Sequence, residues 1–170
     1  MEVRMKNILV ARDLGKDSAR VIRYALEMGV KFHAQIHVLH VMPTVDASVM
    51  NMVALAMGAD KLEKYNKDNE AELAAQTRQQ LHKIIEEEKD LMEEDVAHPV
   101  KVEVHHGEPV PMILTIADRL DADLIVLGSH SKGPLEYAFL GSVAEKILRK
   151  SHRPVMIVPP NALKNKKKKK

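Results

Sequence analysis

The sequence predicts a doubly wound α/β domain, and three observations carry that prediction. Short apolar runs of strand length alternate with helix-period segments, giving five strand candidates in all. Most of the strand runs are apolar on successive residues rather than on alternate ones, which is the pattern of parallel strands buried on both faces. The chain has 170 residues, 45% hydrophobic and 29% charged, enough for one ordinary domain that buries about 70% of its unfolded surface. This composition does not fit a disordered, collagen-like or disulfide-stapled chain. The absence of cysteine removes thiolate zinc sites, cysteine nucleophiles and thiolate iron–sulfur ligation.

The first strand is Asn7-Ile8-Leu9-Val10-Ala11, closed by Arg12-Asp13-Leu14-Gly15. A helix follows, capped by Asp17 or Ser18, with Ala19, Ile22, Ala25, Leu26 and Gly29 at helical spacing up to Phe32. The second strand runs from Gln35 to Met42 and stops at Pro43. Residues 43–60 read as a long Met-rich connection of the kind that forms a lid or flap, carrying Met50, Met52 and Met57. From about Lys61 to Asp95 the spacing predicts a long polar helix whose stripe is Leu62, Tyr65, Leu73, Leu81, Ile84, Ile85 and Met92. Pro99 to Val104 alternates as a third strand, Val110 to Leu120 reads as a helix, and Leu124 to Leu127 is a buried fourth strand. Ser142 to Lys150 is helical, and Pro154 to Pro159 holds the last strand.

Two strand orders suit this alternation, 2-1-3-4-5 and 3-2-1-4-5, each with helices on both faces and right-handed crossovers. Ligands bind such sheets beyond the carboxyl ends of the strands where the winding reverses, which in the second order means strands one and four. The loops that meet there begin at Ala11 and at Gly128-Ser129-His130-Ser131-Lys132-Gly133, the second reaching a helix start at Gly141-Ser142-Val143. Glycines admit an anion to the backbone and a helix N-terminus presents unpaired N–H groups, so the chemistry of this pair of loops is that of a phosphate site. It is not a Walker A loop, because Pro134-Leu135 stands where Lys-Ser/Thr would be, and no G-x-G-x-x-G follows strand one. A competing reading is a capping box, with Ser142 serving the helix end and Glu145 closing it, which needs no ligand.

The pattern Gly128-x-x-Ser131-x9-Gly141-Ser142 resembles the nucleotide signature of the universal stress protein family, Gly-x-x-Gly-x9-Gly-Ser/Thr. The resemblance extends over nearly the whole chain through Asp13, the Val38-Leu39-His40-Val41 end of strand two, Gly128-Ser129-His130, Gly141-Ser142-Val143 and Pro154 to Val158. It implies the 3-2-1-4-5 sheet of the Rossmann-like adenine nucleotide α-hydrolase class, homodimers paired through the last strand (Val155 to Val158) and, in one branch, bound ATP with or without Mg2+. It further implies that Asp13 and Val41 hold the adenosine end, while Gly128, His130, Ser131, Gly141, Ser142 and Val143 surround ribose and phosphates. Ala11, Ser129, Lys132 and Gly133 complete the candidate site. Ser131 departs from the pattern by replacing the second glycine: where the site needs φ > 0 a serine is strained, and where it needs only close backbone approach the hydroxyl offers a phosphate a donor. Arg12 and Lys132 are cations available to a triphosphate.

Other chemistry is thinly supported. The nine histidines include His33, His37, His40, His105 and His106 but form no H-E-x-x-H. Asp121 and Asp123 precede strand four, on the wrong side of the sheet for general acid–base work. No G-x-S-x-G elbow, Walker B or arginine-finger arrangement is present. Formal charge is +2, yet without Lys164 and Lys166 to Lys170 the remaining 20 basic residues face 24 acidic ones. The expectation is a universal stress protein-like domain over residues 1–160 followed by a Lys-rich disordered tail, 161–170. With no uninterrupted apolar span and no apolar signal core after Met1, a cytoplasmic location is expected. The function expected is that of an ATP-binding homodimer acting in stress response or regulation, at most a slow ATPase. The alternative is a nucleotide-free dimeric module that binds a protein partner.

Overall fold

A computed structural model describes residues 5–12, 18–44, 47–129 and 140–159, and within helices the side chains of 47, 57, 59, 61, 62 and 64–66 are left aside, as is that of Arg12. Its elements in chain order are β1 (Asn7–Arg12), α1 (Ser18–Phe32), β2 (Gln35–Met42), α2 (Ala47–Met57), α3 (Ala59–Lys89), β3 (Lys101–His106), α4 (Pro109–Arg119), β4 (Leu124–Gly128), α5 (Ser142–Lys150) and β5 (Val155–Val158). The five strands form one sheet in the order β3-β2-β1-β4-β5, parallel throughout. The winding therefore reverses between β1 and β4.

Alternate residues of the buried strands serve two cores, as the period of two requires. Ile8, Val10, Ile36, Val38 and Val126 pack with Val21, Ile22, Leu26, Leu81 and Ile85, so α1 and α3 cover one face. Leu9, Ala11, Leu39, Ile125 and Leu127 pack with Ile113, Ile116, Ala144 and Ile147, so α4 and α5 cover the other. Two carboxylates predicted to be chemically idle tie the amino-end margin together. Asp123 accepts from the N–H groups of Lys6 (2.6 Å) and Asn7 (2.9 Å) through Oδ2, holding the start of β1 against the start of β4. Asp121 and Asp118 accept from Arg153 at 3.1 and 3.2 Å, which fixes the approach to β5.

The segment 43–60 is not a long flap. It contains α2, because Ala47 to Met57 is rich in Ala and Met and holds no glycine or proline, and intrinsic helix preference fills the length read as an irregular connection. Gly58, at φ 88°, makes the sharp turn into α3, a backbone state that side chains with a Cβ disfavour. Helix α3 starts at Ala59 and ends at Lys89, shorter at its end than the expected run to Asp95. Of the expected stripe residues whose side chains are described, Leu81 and Ile85 are buried, whereas Leu73 is 52% exposed. The side chains of Leu62 and Tyr65 lie outside those described. Strand β3 begins at Lys101 rather than Pro99, since proline donates no ladder hydrogen bond. Residues 161–170 lie outside the described residues.

Candidate functional site

The carboxyl ends of β1 and β4 lie side by side, with Ala11 paired to Leu127. Beyond them the chain leaves at Arg12 and at Gly128-Ser129. Ser129 is buried and its backbone acts as a clamp: its N–H donates to Val158 O at 3.2 Å, and its carbonyl accepts from the N–H of Gly141 at 2.7 Å. That second bond joins residues twelve apart in sequence and brings the first turn of α5 to the end of β4, at the point where the winding reverses. A helix start is thereby fixed where open α/β sheets bind ligands.

The helix start is not self-capped, which corrects the capping-box reading. Gly141 is the N-cap, at φ −60° and ψ 148°, and has no side chain with which to cap the first turn. Ser142 is one residue too far along to serve as the box's N-cap. Glu145 meets Gly141 only through its backbone, donating to Gly141 O at 2.9 Å, while its carboxylate is 2.9 Å from Arg149. The first turn of α5 therefore offers N–H groups and the positive end of its dipole to an anion. The backbone angles of Gly141 are open to any residue.

The remaining candidate residues divide by what they can present. Ala11 is 3% exposed with its methyl in the α4–α5 core, so it offers the site backbone only. Val41 packs against the same core from the end of β2, one strand from β1. Gly128 is half-buried, and a Cβ there would meet Val21 of α1 at 3.4 Å, an ordinary contact. Asp13, His130, Ser131, Lys132 and Gly133 lie outside the described residues.

A polar cluster that the sequence reading passed over lies on the α4 face of β2 and β3. Glu103 accepts from Arg119 at 2.6 Å and lies 2.8 Å from His105 Nε2. Burial pushes the Glu103 carboxyl up, but the hydrogen bonds from Arg119 and His105 outweigh it and hold its pKa below the usual value. His37, one strand inward and paired with Lys101, is 5% exposed with Nδ1 lacking a hydrogen-bond partner. Burial and then the charge of Lys101 lower its pKa, against an opposing pull from Glu103. Only the histidine–carboxylate alternation along β3 signalled this cluster, and it belongs to the sheet's edge rather than to the β1–β4 end. Among the described residues no group of three or more histidines and carboxylates is arranged to hold a metal ion.

Comparison with known proteins places this geometry in a family. The universal stress protein family model matches residues 5–159. Universal stress protein MJ0577 of Methanocaldococcus jannaschii is 30% identical over 164 residues, covering 93% of this chain and 97% of that one. Universal stress protein Sll1388 of a Synechocystis species is 31% identical, covering 89% and 96%. The solved structure of MJ0577 superposes with a TM-score of 0.70 at 25% identity, covering 92% and 96%. A universal stress protein solved in complex with cAMP shares the fold, with a TM-score of 0.54 at 19% identity, covering 92% and 98%.

Proposed function

The chain belongs to the universal stress protein family, and from that premise we propose that it is an ATP-binding homodimer acting as a stress-response or regulatory factor. The observation that carries the proposal is the first turn of α5, begun by a glycine N-cap with no side chain of its own and held at the end of β4 by Ser129. The N–H groups beside a glycine N-cap match the oxygens of a phosphate chain. In this reading Gly141, Ser142 and Val143 take the phosphates, with Gly128, Ser129, His130, Ser131, Lys132 and Gly133 closing around phosphates and ribose. Asp13, Val41 and the backbone of Ala11 hold the adenosine. A Mg2+ ion, where present, rides on the triphosphate with its own waters rather than in a protein cage. That a structural neighbour was solved with cAMP supports an adenine nucleotide as the class of ligand.

The dimer of the proposal pairs β5 with its copy. Strand β5 is an edge of the sheet with apolar Val155, Met156 and Ile157 half-buried in the single chain, and a two-fold axis satisfies both open edges at once. No helix among the described residues is long and apolar enough to cross a membrane, and a cytoplasmic setting is part of the proposal.

Calorimetric titration with ATP tests the site. The expected result is binding by the wild type, its loss in Gly141→Val with an unchanged thermal transition, and equal or tighter binding in Ser131→Gly. Unchanged affinity in a folded Gly141→Val protein would overturn the assignment.

A further inference from the structure

The helical hairpin formed by α2 and the first half of α3 carries an apolar surface that neither the fold nor the nucleotide site uses. Among the described side chains of α3 the first buried one is Thr77, whose hydroxyl lies 3.8 Å from Met42 Sδ at the very end of β2. Helix α3 runs antiparallel to the strands, so the 18 residues before that contact, Ala59 to Gln76, lie on its carboxyl-end side and make about 27 Å of helix. Helix α2 meets α3 across the turn at Gly58. The sequence of α2, ASVMNMVALAM, holds no charge. Its outward side chains Val49, Met52 and Leu55 are 51%, 74% and 91% exposed. Spacings of three place them on one stripe of the helix.

We propose that this stripe, acting together with the lysine run Lys164 and Lys166 to Lys170, docks the protein on an anionic lipid surface. Both parts leave the same end of the sheet. Parallel strands share one carboxyl end, and β2 leads to α2 as β5 leads to the lysines. The 12 residues after Val158 span at most about 40 Å when extended, against roughly 14 Å across the three strand spacings between β5 and β2. The charge distribution selects the partner. Without the six lysines the chain has 20 basic and 24 acidic residues, so attraction to an anionic surface resides in that run. A short lysine cluster alone and a few apolar side chains alone each give weak attachment, and the pair supplies the two signals that reversible membrane binding needs. A second copy of the chain is a poorer occupant. Three apolar side chains on an 11-residue helix offer on the order of a few hundred Å², where a stable interface buries about 1,200–2,000 Å² in total.

Co-sedimentation of the full chain with vesicles of phosphatidylcholine, and of phosphatidylcholine containing phosphatidylserine, tests the inference. The expected result is binding to the phosphatidylserine vesicles only, released by high salt. Binding is expected to fall more than about tenfold in Met52→Ser/Leu55→Ser and by a similar factor when Lys166 to Lys170 are replaced by serine. Both variants change exposed or terminal positions, and an unchanged thermal transition checks that they fold. Absence of binding to phosphatidylserine vesicles would overturn the inference, as would binding that ignores Met52→Ser/Leu55→Ser. A molecular mass by light scattering that falls in Met52→Ser/Leu55→Ser would also overturn it, by showing a second copy on the stripe.

Discussion

His37 shows at the scale of one residue how the sheet constrains its polar groups. It is buried beside Lys101, and burial first, then Lys101, with a smaller push from Arg119, hold its pKa below 6.5 against the pull of Glu103. The unfolded chain therefore takes up a proton before the folded one as pH falls. The stability this neutral histidine contributes is complete above about pH 6.5 and declines below it. Glu103, with its pKa also lowered, adds a second decline at more acid pH, below its ordinary 4.5. In His37→Leu the stability at pH 7.5 is expected to be equal or higher, because a buried nitrogen without a partner is removed, and the loss just below pH 6.5 should shrink. Urea unfolding across pH measures both, and an unaltered slope below pH 6.5 would contradict the assignment. The sequence displayed the histidines but not this coupling, since the register that sets His37 against Lys101 joins positions 64 apart. Ser142 was misread for a smaller reason. The capping-box pattern fits the letters Ser-x-x-Glu, and a one-residue shift of the helix start makes Gly141 the cap instead.

At the scale of the element, α3 is two helices in energetic terms. Its second half is anchored through Thr77, Leu81 and Ile85, while Leu73 faces water. Leu81→Ala is expected to cost about 2–5 kcal/mol by leaving a cavity against the sheet, and Leu73→Ala less than about 0.5 kcal/mol. Denaturant titrations of the two variants check this, and equal losses would show that the first half is packed as well. Strand β2 and helix α5 were legible with the bounds observed, because the Ile36 to Val41 run is imposed by a core on both faces of the sheet and the Ser142–Lys150 period by a core on one face of the helix. Helix α2 was not legible as a helix. Its apolar residues do not recur at one face, and the period that marks an amphipathic helix is missing where both sides of a helix are apolar.

At the scale of the whole molecule, alternation of strand and helix restricted the sheet to two orders, and the family resemblance selected the one observed. That order puts β1 beside β4 and β5 at an edge, and the two halves of the functional proposal follow from those two facts. The dimer is tested by light scattering across concentration. The wild type should show twice the 19.1 kDa chain mass, and Ile157→Lys, which sets like charges across the two-fold axis, should show one chain mass. Because Ile157 also packs against the α4–α5 core, the variant's circular dichroism is read with it. A wild-type mass of one chain, or a dimer indifferent to Ile157→Lys, would show that β5 is not the interface.

The proposed nucleotide site rests on amide groups, and amide NMR observes them directly. The measurement is the 15N–1H spectrum of the full chain titrated with ATP. The account predicts that the largest shifts fall on Gly141, Ser142, Val143 and Ala144, with Ser129 following because its carbonyl holds Gly141. A titration that leaves the first turn of α5 unmoved, whether nothing shifts or the shifts gather elsewhere, would contradict it.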